Sequence, residues 1–474
     1  MKKCATPFLF ILALSYGEDI LINSYTSGNQ RDPNVAHNSA GNFVVVWKSE
    51  TDNSNSDIRA GLFNTDINSL SEEIIVSEQG GTNESPRVAM NSENNFVVVW
   101  ALLDSDFNLK GRLFSNGSAI GEEFSINTTT EHAQTNPDVA MWPNGDFFVV
   151  WESWYQDGSD RGVFGRKFYA DGSAATDEIL INTTTTYSQA KPSIATMPNN
   201  SFVVLWESWG QDQSNSYGIY GQVFSDIIEP LGTEFQVNNY TENDQWFSDV
   251  AATPDNGFIV VWCSWEQDGS DGGIYAQRFE NDGLKIDSEV LINTTTSFYQ
   301  WLPKISALSD NGYAITWSSW KQDGNREGVY IKFFDSDFNS TSFESRVNEE
   351  SLGFQWEPSE PIPKDDGSVI CLWSSNDQYN LGYDIYGRVI EPASSEAVIN
   401  PSSYEHISGM STTELIVHVI DSMALAGDDY ELTFTIESNS IFANIMNISD
   451  NTSMVTDFPM NLGEGNLYLT QEFD

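Results

Sequence analysis

The sequence predicts an all-β chain: a seven-bladed β-propeller closed by its N-terminal strand, followed by a small β-sandwich-like module. Three observations carry this expectation. A five-residue apolar run ending in tryptophan recurs at Phe43–Trp47, Phe96–Trp100, Phe147–Trp151, Phe202–Trp206, Phe258–Trp262, Tyr313–Trp317 and Val369–Trp373. Successive tryptophans lie 53, 51, 55, 56, 55 and 56 positions apart, which is the period of one supersecondary unit repeated in a stack or a ring. The segment Asp19–Asn23 also matches Glu178–Asn182 and Glu289–Asn293, which fall where a fourth strand is due.

The fifth repeat, Ser248–Asn293, shows the unit most clearly. Asp249–Thr253 reads as a short first strand, and Pro254–Gly257 as a turn. Phe258–Cys263 is apolar throughout, the pattern of a strand covered on both faces. Gly273–Phe279 alternates as a third strand, and the Asn281–Gly283 turn leads to a fourth at Glu289–Asn293. Four antiparallel strands per repeat make a propeller blade. The seventh repeat offers Pro358–Ile362, Val369–Trp373 and Asp384–Ile390 and then stops, so Asp19–Asn23 is expected to complete it and leave no open edge. The domain boundaries follow: a signal peptide at 1–17, the propeller at 18–391 and the C-terminal module at 395–474. In that module Leu415–Ile420, Tyr430–Glu437, Ile441–Ile448 and Asn466–Phe473 read as strands, few enough for an incomplete cadherin- or immunoglobulin-like sandwich.

Residues 1–17 carry Lys2 and Lys3, an apolar core at Phe8–Leu14 and small residues near Gly17, the layout of a secretory signal. An extracellular location is therefore expected, with or without attachment to the cell surface. The signal's apolar run is too short to span a bilayer, and no membrane insertion is expected. Acidic residues outnumber lysine plus arginine 69 to 21, and the net charge of −48 repels nucleic acid. Cys263 and Cys371 fall in non-adjacent repeats and read as small buried hydrophobes rather than a disulfide. Sequons begin at Asn83, Asn116, Asn127, Asn182, Asn199, Asn239, Asn293, Asn339, Asn447 and Asn451, all candidate glycan acceptors in a eukaryotic secretory pathway.

Two motifs share one face, because the loops between repeats and those between second and third strands lie at the same end. The first follows the core tryptophan and supplies Trp154, Gln156, Asp157 and Asp160 in repeat three. Its equivalents are Trp209 and Gln211 in repeat four, Trp265, Gln267, Asp268 and Asp271 in repeat five, and Trp320 and Gln322 in repeat six. The second motif pairs a glutamine with a proline three residues on: Gln134 and Pro137, Gln189 and Pro192, Gln300 and Pro303, Gln355 and Pro358. The second tryptophans either pack beneath their loops or offer stacking platforms to a sugar or protein. The Gln and Asp residues either cap their own backbone or contact a ligand. Oxygen-rich Asp-Gly loops also suit calcium, which would fall to Asp157 and Asp160, and to Asp268 and Asp271. No histidine recurs beside a nucleophile, and departures from the repeat read as decay of the motif.

In these residues, above all Phe147–Phe168, Phe202–Phe224 and Phe258–Phe279, the chain resembles a repeat of large secreted and surface-attached proteins of bacteria and ciliates. That resemblance covers residues 19–391 and implies a propeller, with cadherin-like neighbours in many of those proteins. The expectation drawn from all this is a non-catalytic recognition or adhesion protein whose propeller face contacts an extracellular protein or glycan. Two alternatives stand beside it. One is a multivalent glycan-binding lectin with similar pockets. The other is a carboxylate-dependent extracellular hydrolase, which a single asymmetric acidic pocket near the ring axis would distinguish.

Overall fold

The computed structural model describes residues 19–392, apart from 53–54, 78–80, 213–214 and 377–381, together with the backbone of 430–437, 440–447 and 452–460. The expected signal peptide, and the strands expected at 415–420 and 466–473, lie outside the described residues. No helix occurs among the described residues, and the architecture is all-β.

Repeats three to six each form a separate four-stranded antiparallel sheet. In repeat five the strands are Gln245–Ala252, Phe258–Trp265, Gly272–Phe279 and Lys285–Leu291. Repeats one and two each have the same strand order and are merged into one eight-stranded sheet by a single parallel bridge, Ser56 to Thr82. The first strand of repeat five begins four residues earlier than the sequence suggests. A bulge between Trp246 and Asp249 lets the ladder resume after Phe247, which has a left-handed backbone (φ 56°).

The continuous apolar runs are explained by cover on both faces. In repeat three, Phe147, Val149 and Trp151 pack on Val97, Val99 and Leu109 of repeat two. Phe148 and Val150 face the other way, onto Phe202, Val204 and Trp206 of repeat four. Every second strand is thus sandwiched between two sheets, and the seven core tryptophans are at most 1% exposed. At about 25 cal/mol per Å² over roughly 200 Å², each contributes about 5 kcal/mol as an upper figure. The indole of Trp151 also donates to Gln134 Oε1 at 3.0 Å, and that of Trp373 to Gln355 at 3.1 Å, whereas Gln189 and Gln300 accept instead from Asn182 and Asn293, at 3.4 and 3.2 Å.

The start of the chain pairs as expected. Ile20–Leu21 lies antiparallel to Tyr383–Ile390, with Ile20 opposite Gly387. Ile22 packs on Phe43, Leu372 and Ile385. Asn23 Oδ1 accepts the Ile385 amide at 2.7 Å, as Asn182 accepts Val163 and Asn293 accepts Ile274 at the same distance within their own repeats.

The seventh inner strand differs from expectation. It is two short pieces, Gln355–Trp356 and Ile362–Pro363; a proline at the place of Pro358 is tolerated in the continuous strands of repeats three, four and six, and it is the additional Pro361 that lacks an N–H for the ladder here. Cys263 and Cys371 are buried free thiols, raised by burial. In the C-terminal segment Tyr430–Glu437, Ser440–Asn447 and Thr452–Met460 form a three-stranded antiparallel sheet.

Candidate functional site

The loop residues that follow each core tryptophan are largely engaged within the fold. Gln156 accepts from Ser153 Oγ at 2.7 Å and donates to Glu178 at 2.8 Å. Gln211 joins Ser208 to Glu234, and Gln322 joins Ser319 to Glu344, in the same way. Gln267 donates to Glu289 at 2.6 Å. These glutamates accept backbone amides of the preceding repeat, Glu178 from Thr129 at 3.0 Å and Glu289 from Asn239 at 2.7 Å. The glutamines are therefore parts of inter-repeat clasps.

Trp154, Trp209, Trp265 and Trp320 are half-buried, each against a neighbour. Arg161 lies 5.4 Å from the Trp154 ring, Trp209 meets Tyr217 edge-on at 5.0 Å, and Trp320 faces Phe354 at 6.5 Å. Trp265 lies between Trp246 and Tyr299, at 6.2 and 5.7 Å. Asp157 and Asp268 accept the amides of Ser159 and Ser270, at 2.9 and 3.0 Å, which closes their own turns. Asp160 and Asp271 are exposed and close the same loops through their backbone carbonyls. Among the described residues no three His, Cys, Asp or Glu side chains gather to hold a metal.

The sequons divide by burial. Asn83, Asn127, Asn182 and Asn293 are at most 4% exposed, so in the folded chain their amides are out of reach of a glycan. Asn116, Asn199, Asn239 and Asn339 are exposed. The side chains of Asn447 and Asn451 lie outside the described residues.

A different set of positions breaks the repeat. Two residues beyond each strand-one glutamine or its equivalent, the backbone is left-handed: Asp32, Ser85, Asn136, Lys191, Phe247, Leu302 and Glu357, with φ between 47° and 56°. None is glycine, and strain of this kind, where it persists, collects at sites that re-aim side chains for use. Just beyond stand Asn34, Arg87, Asp138, Ser193, Asp249, Lys304 and Ser359, the last followed by Glu360.

These side chains converge from separate repeats. Lys304 Nζ lies 3.3 Å from Asp249 Oδ1 and 2.9 Å from Glu360 Oε1. Asn34 Nδ2 donates to Glu360 Oε2 at 3.3 Å, and Arg87 pairs with Asp32 at 3.4 Å. Asp138 feels the charges of Arg87, Lys304 and Glu360 at once. Glu360 stands in the break of the seventh inner strand, next to Pro361. Protein surrounds the cluster, yet solvent reaches it: the side chains of Lys304 and Glu360 remain 26% and 22% exposed.

The carboxyls are driven apart in acidity. Burial raises Asp138 to about 6, and Arg87 and Lys304 only partly offset it. Burial likewise raises Asp249 to about 6 against the pull of Lys304. For Glu360 burial also pushes upward, but Lys304, with Arg87, outweighs it and holds the carboxyl below its ordinary range. Each aspartate also accepts an amide of the next repeat at 2.9 Å, Asp138 from Ile194 and Asp249 from Ile305, so its position is fixed.

An aromatic arc flanks the same centre on the motif-bearing face. The residue after the strand-one glutamine is tryptophan in repeats five, six and seven (Trp246, Trp301, Trp356), and Arg31, Glu84, Thr135 and Ala190 in the first four. Phe247 meets Trp301 at 5.8 Å, Trp301 meets Trp356 at 5.7 Å, and Trp356 meets Tyr383 at 6.2 Å. Trp301 is three residues from Lys304, across the bulge at Leu302. A cleft of about 490 Å³ elsewhere, between the outer strands of repeats three and four, has Glu234 as its one titratable group.

No family model matches the chain, and no curated protein matches it. Solved structures do. A polysaccharide lyase, an ulvan lyase bound to a glucuronic acid–rhamnose saccharide, matches over 80% of this chain and 96% of its own, at 9% identity and a TM-score of 0.52. The NanB sialidase of Streptococcus pneumoniae matches over 80% of this chain and 70% of its own, at 9% identity and a TM-score of 0.45. An α-L-arabinanase of Penicillium chrysogenum matches over 65% of this chain and 93% of its own, at 11% identity and a TM-score of 0.44. At such identities the likeness is one of fold.

The expectation of a non-catalytic recognition or adhesion protein is corrected by two findings. The ulvan lyase, which matches at a TM-score above 0.5, is an enzyme, so a fold of this kind is no mark of a non-catalytic protein. The inner positions, moreover, depart from the repeat by acquiring complementary charge, not by decay of a motif.

Proposed function

We propose that the chain is an exported, carboxylate-dependent glycan hydrolase built as a closed seven-bladed propeller, with its active centre on the axis. The observation that carries the reading is the meeting of Asp138, Asp249, Lys304 and Glu360 from four repeats, with one carboxyl held protonatable and another held ionised. Pairs of carboxyls whose surroundings separate their acidities mark an acid and a base. Closure of the ring is supported by the pairing of Ile20–Leu21 with Tyr383–Ile390 and by the bonds of Asn34 and Arg31 to Glu360 and Glu357. Export is supported by the signal-like first seventeen residues. The ulvan lyase likeness adds that a fold of this kind accommodates glycan chemistry, as analogy only.

In the proposed reaction Asp138 donates its proton to the glycosidic oxygen as the bond from that oxygen to the anomeric carbon breaks. Glu360 takes a proton from a water molecule whose oxygen bonds to that carbon. One water is consumed and no redox partner is needed. Lys304, with Arg87, holds Glu360 in its ionised form, and the arc of Trp301 and Trp356 stacks sugar rings beside it.

Release of reducing ends from a panel of polysaccharides tests the reading. Asp138→Asn and Glu360→Gln, each keeping its shape, should lower the rate by about 10²–10⁴ while the protein melts normally. No cleavage of any glycan by the natural chain, or undiminished cleavage by both variants, refutes it.

A further inference from the structure

Resting on that reading, we infer that the substrate is a long, uncharged polysaccharide. It lies across the whole face and is cut internally, with aromatic subsites on both sides of the centre.

Exposed aromatic residues stand at costly backbone positions on this face. Tyr155, Tyr187 and Phe298 are 52%, 58% and 47% exposed, with φ of 59°, 67° and 62°. Bulky side chains rarely adopt this conformation. Where the same turn recurs, the occupants of the Tyr187 and Phe298 position include Gly28, Gly81, Asn243 and Gly353, residues that take it cheaply. Burial does not compensate Tyr187 and Phe298, since half of each ring faces solvent. A contact outside the chain does so in the proposed complex.

The placement is two-sided. Tyr155 and Tyr187 belong to the junction of repeats three and four, which in a ring of seven lies opposite repeat seven. Repeat seven carries Trp356, next to Trp301. A chain running from one group to the other passes over Asp138, Asp249 and Glu360. An enzyme that trims ends needs rings on one side only; rings on both sides hold the middle of a polymer.

Four cations of this face are held by carboxylates, while Lys321 and Arg326 lie over the rings of Phe298 and Phe354, at 5.8 and 4.5 Å; an uncharged substrate is favoured by the paired four together with the net charge. Arg31 is bound to Glu357 at 2.7 Å, Lys48 to Glu50 at 2.7 Å, Lys191 to Glu207 at 3.3 Å and Lys304 to Glu360 at 2.9 Å. With these cations neutralised in place and a net charge of −48, a uronate or sulfate polymer meets repulsion. Stacking on aromatic faces needs no charge.

The test separates binding from cleavage. The full chain carrying both Asp138→Asn and Glu360→Gln is titrated calorimetrically with amylose, xyloglucan, galactomannan and mixed-linkage β-glucan, and with pectate and alginate as anionic probes. At least one neutral polymer should bind, its disaccharide much more weakly. Tyr187→Ala and Trp356→Ala, introduced separately, should each weaken polymer binding about fivefold. In the active chain the first products should be long oligosaccharides, and Tyr187→Ala should raise KM for the polymer with kcat within about twofold. Preference for pectate or alginate, unchanged affinity in the Tyr187 variant, or mono- and disaccharides as first products overturns the inference. Polymer binding that depends on both aromatic groups, with no cleavage by the natural chain, sustains this binding mode and refutes the hydrolase reading.

Discussion

Replacing Asn23 by alanine should lower the melting temperature by about 4–6 °C, and the size of that loss tests whether the N-terminal segment is an integral strand. Asn23 is 2% exposed, and its Oδ1 accepts the Ile385 amide at 2.7 Å. Its Nδ2 donates to Asp384 Oδ1 at 2.7 Å and to the Tyr25 carbonyl at 3.1 Å. Alanine leaves a buried N–H without a partner, roughly 1–3 kcal/mol, and removes a bond to a carboxylate, roughly 1.5–3 kcal/mol. Together these come to about 3–5 kcal/mol. Unfolding entropy near 2.1 cal/mol/K per residue over roughly 370 residues is about 0.8 kcal/mol/K, so each kcal/mol moves the midpoint by a little over 1 °C. Scanning calorimetry of the full chain reads the shift. Asn182→Ala is the internal standard, because Asn182 makes the same bond to Val163 within one continuous repeat. A change of less than about 1 °C for Asn23→Ala beside a full loss for Asn182→Ala would show that the first strand adds nothing, and ring closure would fall with it.

Other expectations can be checked independently. The pH profile of kcat/KM should be bell-shaped and lie on the acid side of neutrality. Asp138 acts only while protonated, so the rate falls as pH rises through about 6, and it falls again at low pH as Glu360, held below its ordinary range, takes up a proton. A rate that keeps rising through neutrality contradicts this assignment. Gln267→Ala should lower the melting temperature by about 1–2 °C through loss of its bond to Glu289, with polysaccharide affinity unchanged; lost affinity at unchanged melting would restore Gln267 as a ligand contact. When the folded protein is recovered from a eukaryotic host, mass spectrometry should find glycans only among Asn116, Asn199, Asn239 and Asn339 within residues 19–392. Occupancy at buried Asn182 would contradict the burial described above.

Much of the fold was legible because its supporting residues recur. A core tryptophan with apolar neighbours on both strand faces is needed wherever a sheet is sandwiched between two others, so the same run appears at each repeat. The match of Asp19–Asn23 to internal fourth strands likewise reflected one shared task, the carboxamide that accepts a third-strand amide. Strand limits were less legible. The Phe247 bulge reads as a strand end, since nothing in a phenylalanine announces a left-handed backbone. Pro361 was visible, yet its effect on the seventh inner strand depends on which ladder partner its missing N–H faces.

The centre was hidden for the opposite reason. Periodicity finds what repeats share, and a single asymmetric ligand is read by what they do not share. At the position of Asp138, four residues beyond the strand-one glutamine, and at its equivalents, the chain carries Asn34, Arg87, Asp138, Ser193, Asp249, Lys304 and Ser359. Aligned by the glutamine of the second motif and its equivalents, that column holds two acids, two bases, an amide and two serines, where a solvated face would show no matched signs across repeats. The signal was present one residue beyond a motif already singled out. It carries meaning only once Lys304 is known to reach both Asp249 and Glu360, because complementarity between positions 55 or 56 residues apart is a property of the folded repeats. Variation at one inward-facing position, against constancy at its neighbours, is therefore the feature that separates a working centre from a worn repeat.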